Sequence, residues 1–173
     1  KGVVVVASSG NHGSASGIAA PACNTGVIAV GATYDASLGR QPPMGTYPTP
    51  GGGCFDATSS PATVACFTNS NKQLDLVAPG VSITTPGMAG TAVTYTGTSL
   101  SAPAASAVAA LLRQCRPAIT PAEVTQALVM SGPQLTDPKN KLKVPALDAL
   151  TALNLGCTCK SKPKGAACTD GLL

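Results

Sequence analysis

The sequence predicts an α/β domain built on a mostly parallel sheet, and three observations carry that prediction. First, Val3-Val4-Val5-Val6-Ala7 and Val27-Ile28-Ala29-Val30-Gly31-Ala32 are continuous runs of β-branched and small apolar residues, the pattern of strands buried on both faces. Second, Tyr95-Thr96-Gly97-Thr98-Ser99 is a glycine turn and a serine that open a run of small apolar residues reaching Leu112. A helix that is apolar all round belongs inside a domain. Third, Thr120-Pro121-Ala122-Glu123 is a capping-box pattern with proline at N1, and Val124, Leu128 and Val129 continue at helical spacing until Gly132-Pro133 stops them.

The totals agree with one domain of ordinary size. The 173 residues are 44% hydrophobic, 10% charged and 3% aromatic, with no Trp, which describes a small-residue globular core and excludes a disordered chain. The net charge of +4 is modest. Lys139, Lys141, Lys143, Lys160, Lys162 and Lys164 lie late and are not interleaved with aromatics, so they read as a solvated face and not as a nucleic-acid surface. No apolar run approaches the roughly 20 residues of a membrane span. Seven Cys point to an oxidising compartment, hence a secreted or extracellular protein, and their odd number leaves at least one outside any internal pairing. Lys1-Gly2 leads straight into the first valine run, with no recognisable signal peptide, so the chain is expected to open inside a strand.

In chain order, the first strand ends in Ser8-Ser9-Gly10-Asn11-His12-Gly13. In open α/β sheets ligands bind at the carboxyl ends of strands. Residues 38–61 are rich in Gly and Pro and read as a surface insertion. Cys54 and Cys66 flank Phe55–Ala65 and are read as a disulfide pair, since no further metal ligands lie near them. Residues 144–153 read as a last short helix whose leucine stripe belongs to the core. Residues 156–173 are basic, polar and Cys-rich, and read as a tail or the opening of a small disulfide module beyond a main domain of residues 1–155. Thr98 or Ser99 is a natural N-cap, which would put Ser99 at the positive end of a helix dipole beside free backbone N–H groups. That position suits a group that must stabilise negative charge on an acyl oxygen.

Gly97-Thr98-Ser99-Leu100-Ser101-Ala102-Pro103 resembles the nucleophile motif of the subtilisin-like serine proteases, Gly-Thr-Ser-x-(Ser/Ala)-(Ala/Ser)-Pro. The family continues with His and later Gly where this chain has Ala104 and Ala107, neither of them a triad position. The Ser8–Gly13 segment resembles the family's oxyanion segment, Ala19-Ala20-Pro21 with Val27–Ala32 its Tyr-Pro-Ala…Val-Ile-Ala-Val-Gly-Ala stretch, and Phe67-Thr68-Asn69 with Leu74–Ile83 its Phe-Ser-Asn…Leu-Asp…Ala-Pro-Gly block. The resemblance runs in order from about Gly2 to about Leu155. It implies the carboxyl-terminal portion of a three-layer subtilisin-like fold.

By the same resemblance Ser99 is the nucleophile of a serine endopeptidase, and Asn11 donates to the oxyanion together with the Ser99 N–H. In a subtilisin, losing that asparagine costs about 10²–10³ in turnover. The amide at Asn11 separates the chain from the serine-carboxyl proteases, which place an acidic residue there. Ser8, Ser9, Gly10, Ala19 and Ala20 would form walls of the substrate pocket, small enough to admit a bulky apolar side chain. The family's triad runs Asp, His, Ser, so the base and its orienting acid are expected upstream of Lys1, the partner being the upstream half of the same catalytic domain. His12, the single histidine, follows the oxyanion asparagine and would crowd the substrate, so it is not the base. Asp75 matches a structural position. The chemistry needs no cofactor, while structural calcium is common in the family. Without a base the isolated chain is expected to be inactive, and with an uncovered sheet edge to fold poorly. A subtilase-like module that binds peptides without cutting them, and a subtilisin-like transpeptidase, are the rival expectations.

Overall fold

The computed structural model describes residues 2–41 and 54–157. Residues 42–53, half of the Gly/Pro-rich insertion, and the tail from residue 158 lie outside the described residues. The central sheet has the order β1-β2-β3, formed by Val5–Ser8, Val27–Thr33 and Leu76–Pro79. All its pairings are parallel, with Val5 opposite Val27 and Val30 opposite Leu76. The α/β class and the parallel sheet are therefore as the valine-rich runs predict.

Side chains alternate across this sheet, as a pleated strand requires. Ile28, Val30, Leu76 and Ala78 enter one core with Ala105, Val108, Leu112, Val124, Leu128 and Ala152. Ala29 and Val77 face the other way, against Ala22, Leu74 and Val144. Three helices cover the first face: α1, Thr98–Cys115; α2, Pro121–Val129; and α3, Ala149–Gly156. The second face is covered by the 15–24 segment and by the antiparallel hairpin of β6, Gln134–Thr136, and β7, Lys143–Pro145. The remaining hairpin, β4 (Ile83–Pro86) with β5 (Ala92–Tyr95), runs outward and returns to the start of α1.

Several expectations are corrected. The first strand is not buried on both faces: Val3 is 72% and Val5 45% exposed, because β1 is an edge whose single sheet neighbour among the described residues is β2. Helix α1 is buried along one stripe, from Thr98 and Ala102 through Ala105 and Ala109 to Leu112, while Ser99, Ser106 and Ala110 are exposed. Its composition suggests a fully enclosed helix, but small residues tolerate either environment. The predicted helix over 144–153 begins only after Asp148, whose side chain accepts the Thr151 N–H; Lys143–Pro145 belongs to β7. The predicted capping box of α2 is present in both directions between Thr120 and Glu123.

Two disulfides join the described residues. Cys54 pairs with Cys66, as their flanking positions suggest, and Cys115 pairs with Cys157. The second ties the end of α1 to the end of α3, so Cys157 is anchored to the helical layer. Cys23 is a free thiol, and Cys159 and Cys168 lie outside the described residues.

Candidate active site

The site forms where two strand ends meet the start of α1. Strand β3 ends in Pro79-Gly80, and the Gly80 carbonyl accepts the Gly97 N–H at 2.8 Å. A β-carbon on Gly80 would collide with Ser101 Oγ, so the close approach of this turn to the helix requires glycine there. Gly97 is the N-cap of α1 and no side chain caps it, which corrects the expectation that Thr98 or Ser99 does so. Thr98 and Ser99 are instead the first two residues of the helix. Ser99 is exposed at the amino end of an 18-residue helix, where backbone N–H groups have no intrahelical acceptor and the dipole is positive.

The Thr98 side chain has a different task, which sequence reading missed. It is fully buried and its hydroxyl donates to Asn11 Oδ1 at 2.8 Å, while its backbone N–H donates to the same oxygen at 2.9 Å. A backbone N–H can only donate, so the Asn11 oxygen must face Thr98 and its NH₂ must face away. The Thr98 hydroxyl oxygen also accepts the Gly10 N–H at 3.3 Å. The available signal was a hydroxyl at a position on the buried stripe of an otherwise apolar helix.

Asn11 Nδ2 and Ser99 Oγ both lie close to Gly97. Each lies 3.3 Å from the point that a β-carbon on Gly97 would occupy. Neither atom has a hydrogen-bond partner among the described residues. The Thr98 N–H is taken by Asn11 and the Leu100 N–H by the Gly97 carbonyl, so an unengaged amide donor stands near an exposed hydroxyl and the Ser99 N–H, and this arrangement suits a developing oxyanion.

The expected pocket residues divide. Ser8 lines an open hollow of about 750 Å³ together with Ala7, Pro21, Ser99, Ala102 and Ser106. Ser9 is fully buried, and its hydroxyl has no partner among the described residues, so it shapes the wall through its backbone: its carbonyl accepts the Ala19 N–H at 2.8 Å. Gly10 abuts Ala19, whose β-carbon would lie 3.0 Å from one on Gly10, and Ala20 is exposed just before Pro21. The two wall segments are therefore adjacent, although of the five expected pocket residues Ser8 is the one that shares the hollow beside Ser99.

His12 is exposed and its backbone N–H donates to Asn69 Oδ1 at 2.9 Å. Asp75 holds β2 to β3: its carboxylate accepts the Ala29 N–H at 2.8 Å and its own N–H donates to the Ala29 carbonyl at 3.1 Å. Burial pushes the Asp75 carboxyl above its ordinary range, against the Ala29 hydrogen bond, which pulls it down. Among the described residues no three His, Cys, Asp or Glu side chains group as metal ligands, and no helix is long and apolar enough to cross a membrane.

Comparison with known proteins places the chain in a family. The profile of the subtilase family, peptidase S8, matches residues 1–149. The chain is 32% identical over 127 residues to a subtilisin of Bacillus pumilus and to subtilisin E of Bacillus subtilis strain 168; each match covers 73% of this chain, but 38% and 28% of those proteins. Over 75 residues it is 41% identical to an extracellular serine proteinase of Thermus sp. strain Rt41A. Among solved structures, the prenylagaramide maturation protease PagA superposes with a TM-score of 0.66 at 25% identity, over 90% of this chain and 51% of that one. The chain thus spans well under two thirds of the proteins it matches, and the family match runs through both the 8–13 and the 97–103 segments: it belongs to the subtilase family.

Proposed function

We propose that this chain forms the carboxyl-terminal part of the catalytic domain of a secreted serine endopeptidase, with Ser99 as nucleophile and Asn11 as oxyanion donor. The observation that carries the proposal is the double hydrogen bond from Thr98 to Asn11 Oδ1, which leaves Asn11 Nδ2 free on the side where Ser99 Oγ stands.

In this reading Ser99 Oγ attacks the carbonyl carbon of a peptide bond and its proton passes to a histidine supplied by the upstream half of the domain, which an upstream aspartate orients. The carbonyl oxygen becomes an oxyanion and accepts hydrogen bonds from Asn11 Nδ2 and the Ser99 N–H. The intermediate collapses to an ester on Ser99 and releases the amine, protonated by the same histidine. Water then hydrolyses the ester by the reverse sequence. Both donors are in place before charge develops, so no reorganisation opposes the step. Ser8 and the 19–21 segment border the residue before the cleaved bond. The disulfides, and the likeness to a proteinase named extracellular, support secretion. The chemistry asks for no cofactor.

Fluorophosphonate labelling tests this reading, with intact mass and peptide mapping as readout. It is run on this chain alone and on the protein extended upstream. Labelling of Ser99 in the extended protein alone, abolished by Ser99→Ala, is the expected result. A folded extended protein that does not label would identify a peptide-binding module. Transfer of the acyl group to an added amine in preference to water would identify a transpeptidase.

A further inference from the structure

Asn11 is held from a second side by a segment almost sixty residues away. Asn69 is 5% exposed, and its Oδ1 accepts the His12 N–H at 2.9 Å and the Ser14 N–H at 3.1 Å. Its own backbone N–H donates to the Gly10 carbonyl at 3.0 Å. The Gly10 carbonyl belongs to the peptide group before Asn11, and the His12 N–H to the one after it. One residue therefore grips both peptide planes that flank the Asn11 α-carbon. With those planes fixed, φ and ψ of Asn11 are fixed, and so is the direction in which its side chain leaves the backbone.

The contact is close by construction. A β-carbon on Gly10 would collide with the Asn69 amide, so the Asn69 side chain in this position requires glycine at 10. Neighbouring bonds fasten the same two strips of chain: the Gly13 N–H donates to the Phe67 carbonyl at 2.7 Å, and the Ser70 N–H to the Ser14 carbonyl at 2.8 Å. The Asn69 strip is itself anchored. Ser70 Oγ donates to Asp137 Oδ2 at 2.5 Å, Asp137 is fully buried, and Lys139 Nζ pairs with its carboxylate at 2.9 Å. Asn140 Nδ2 donates to Ser70 Oγ at 2.9 Å.

We propose that Asn69 is a positioning residue of the oxyanion site, which aims the Asn11 amide by clamping the two peptide groups around it. This rests on the reading of Asn11 as oxyanion donor. Asn69 touches neither Ser99 nor the hollow beside it, so its effect runs through Asn11. A donor displaced by about 1 Å costs on the order of 10²-fold in rate.

The test is a double-mutant cycle in the full-length protein, read by kcat and KM on a chromogenic peptide amide, with folding checked by circular dichroism. Asn11→Ala alone should lower kcat by about 10²–10³-fold. Asn69→Ala alone should lower kcat roughly 10- to 100-fold with KM within about twofold, since the interaction it supports is made in the transition state. In the Asn11→Ala background, Asn69→Ala should cost less than about twofold, because the donor it aims is already gone. Should the alanine variant not fold, Asn69→Ser, whose shorter hydroxyl cannot span both N–H groups, takes its place in the cycle. An equal loss in both backgrounds, or none in either, overturns the positioning role and leaves the oxyanion reading standing. If Asn11→Ala is itself without effect on kcat, the oxyanion reading falls and the positioning role falls with it.

Discussion

The two ends of α1 are built from different materials. At its amino end, around Gly97, Thr98, Asn11 and Asn69, nearly every contact is a hydrogen bond, and glycines let backbones approach closely. At its carboxyl end, Leu112 packs with Val124, Leu128 and Ala152 of α2 and α3, and the disulfide from buried Cys115 to Cys157 closes a 42-residue separation. Hydrogen bonds are directional but contribute modestly to net stability, about 1 kcal/mol each. Apolar burial and a long-loop crosslink have little directionality but stabilise strongly, the crosslink by about 4 kcal/mol in the chain-entropy model. The amino end therefore sets where atoms point, and the carboxyl end sets whether the layer stays together.

The largest effect expected on this division is at Leu112, which is fully buried and against which a β-carbon on Gly156 would collide. Leu112→Ala should destabilise the protein by about 2–5 kcal/mol. That lowers Tm by roughly 5–15 °C in a domain of this size. Below the transition kcat should be unchanged; a matching fall in kcat would show that the two ends are coupled.

Gly97→Ala is the complementary change. The added carbon would sit 3.3 Å from both Asn11 Nδ2 and Ser99 Oγ, tighter than ordinary contact. We expect kcat to fall roughly 10- to 100-fold, by displacement of one or both groups. Gly97 also has φ 155° and ψ 160°, a backbone conformation that residues with a β-carbon rarely adopt, so strain of about 1–3 kcal/mol should lower Tm by roughly 2–12 °C. A large loss of stability with normal turnover would invert the assignment.

The smallest effect concerns pH. The Glu123 carboxyl is held down to about 2 from its ordinary 4.5, first by the Thr120 N–H, then by the Thr120 hydroxyl and by Arg116. A depressed carboxyl stabilises the fold above its unfolded pKa, and that contribution is lost as pH falls through about 4.5 toward 2. Because the Glu123 side chain is 39% exposed and screened by solvent, the effect should be slight. Glu123→Gln keeps the capping-box geometry and removes the charge, so its Tm should vary less than wild type between pH 5 and pH 2, with activity at neutral pH unaltered. Identical profiles would show that the box contributes no pH-dependent stability.

Much of this molecule was legible before any coordinate. The runs at 3–7 and 27–32 read as strands because they are short, rich in β-branched residues and bounded by turn residues. Thr120-Pro121-Ala122-Glu123 specifies a helix start because its groups satisfy one another locally, and the Gly97–Pro103 motif singles out Ser99 because the residues that carry the family resemblance are contiguous in sequence. What the linear chain could not show is relation across distance. Thr98 reads as a helix cap, and only the approach of the 10–14 segment makes it the holder of Asn11. Asn69 reads as part of a motif, and only the packing of 67–70 against 10–14 makes it a clamp. Cys115 and Cys157 lie too far apart for spacing to pair them, and the exposure of Val5 depends on which strands stand beside β1. Local propensity and patterning are written in neighbouring residues, whereas a hydrogen bond between segments is decided by where the core places their backbones.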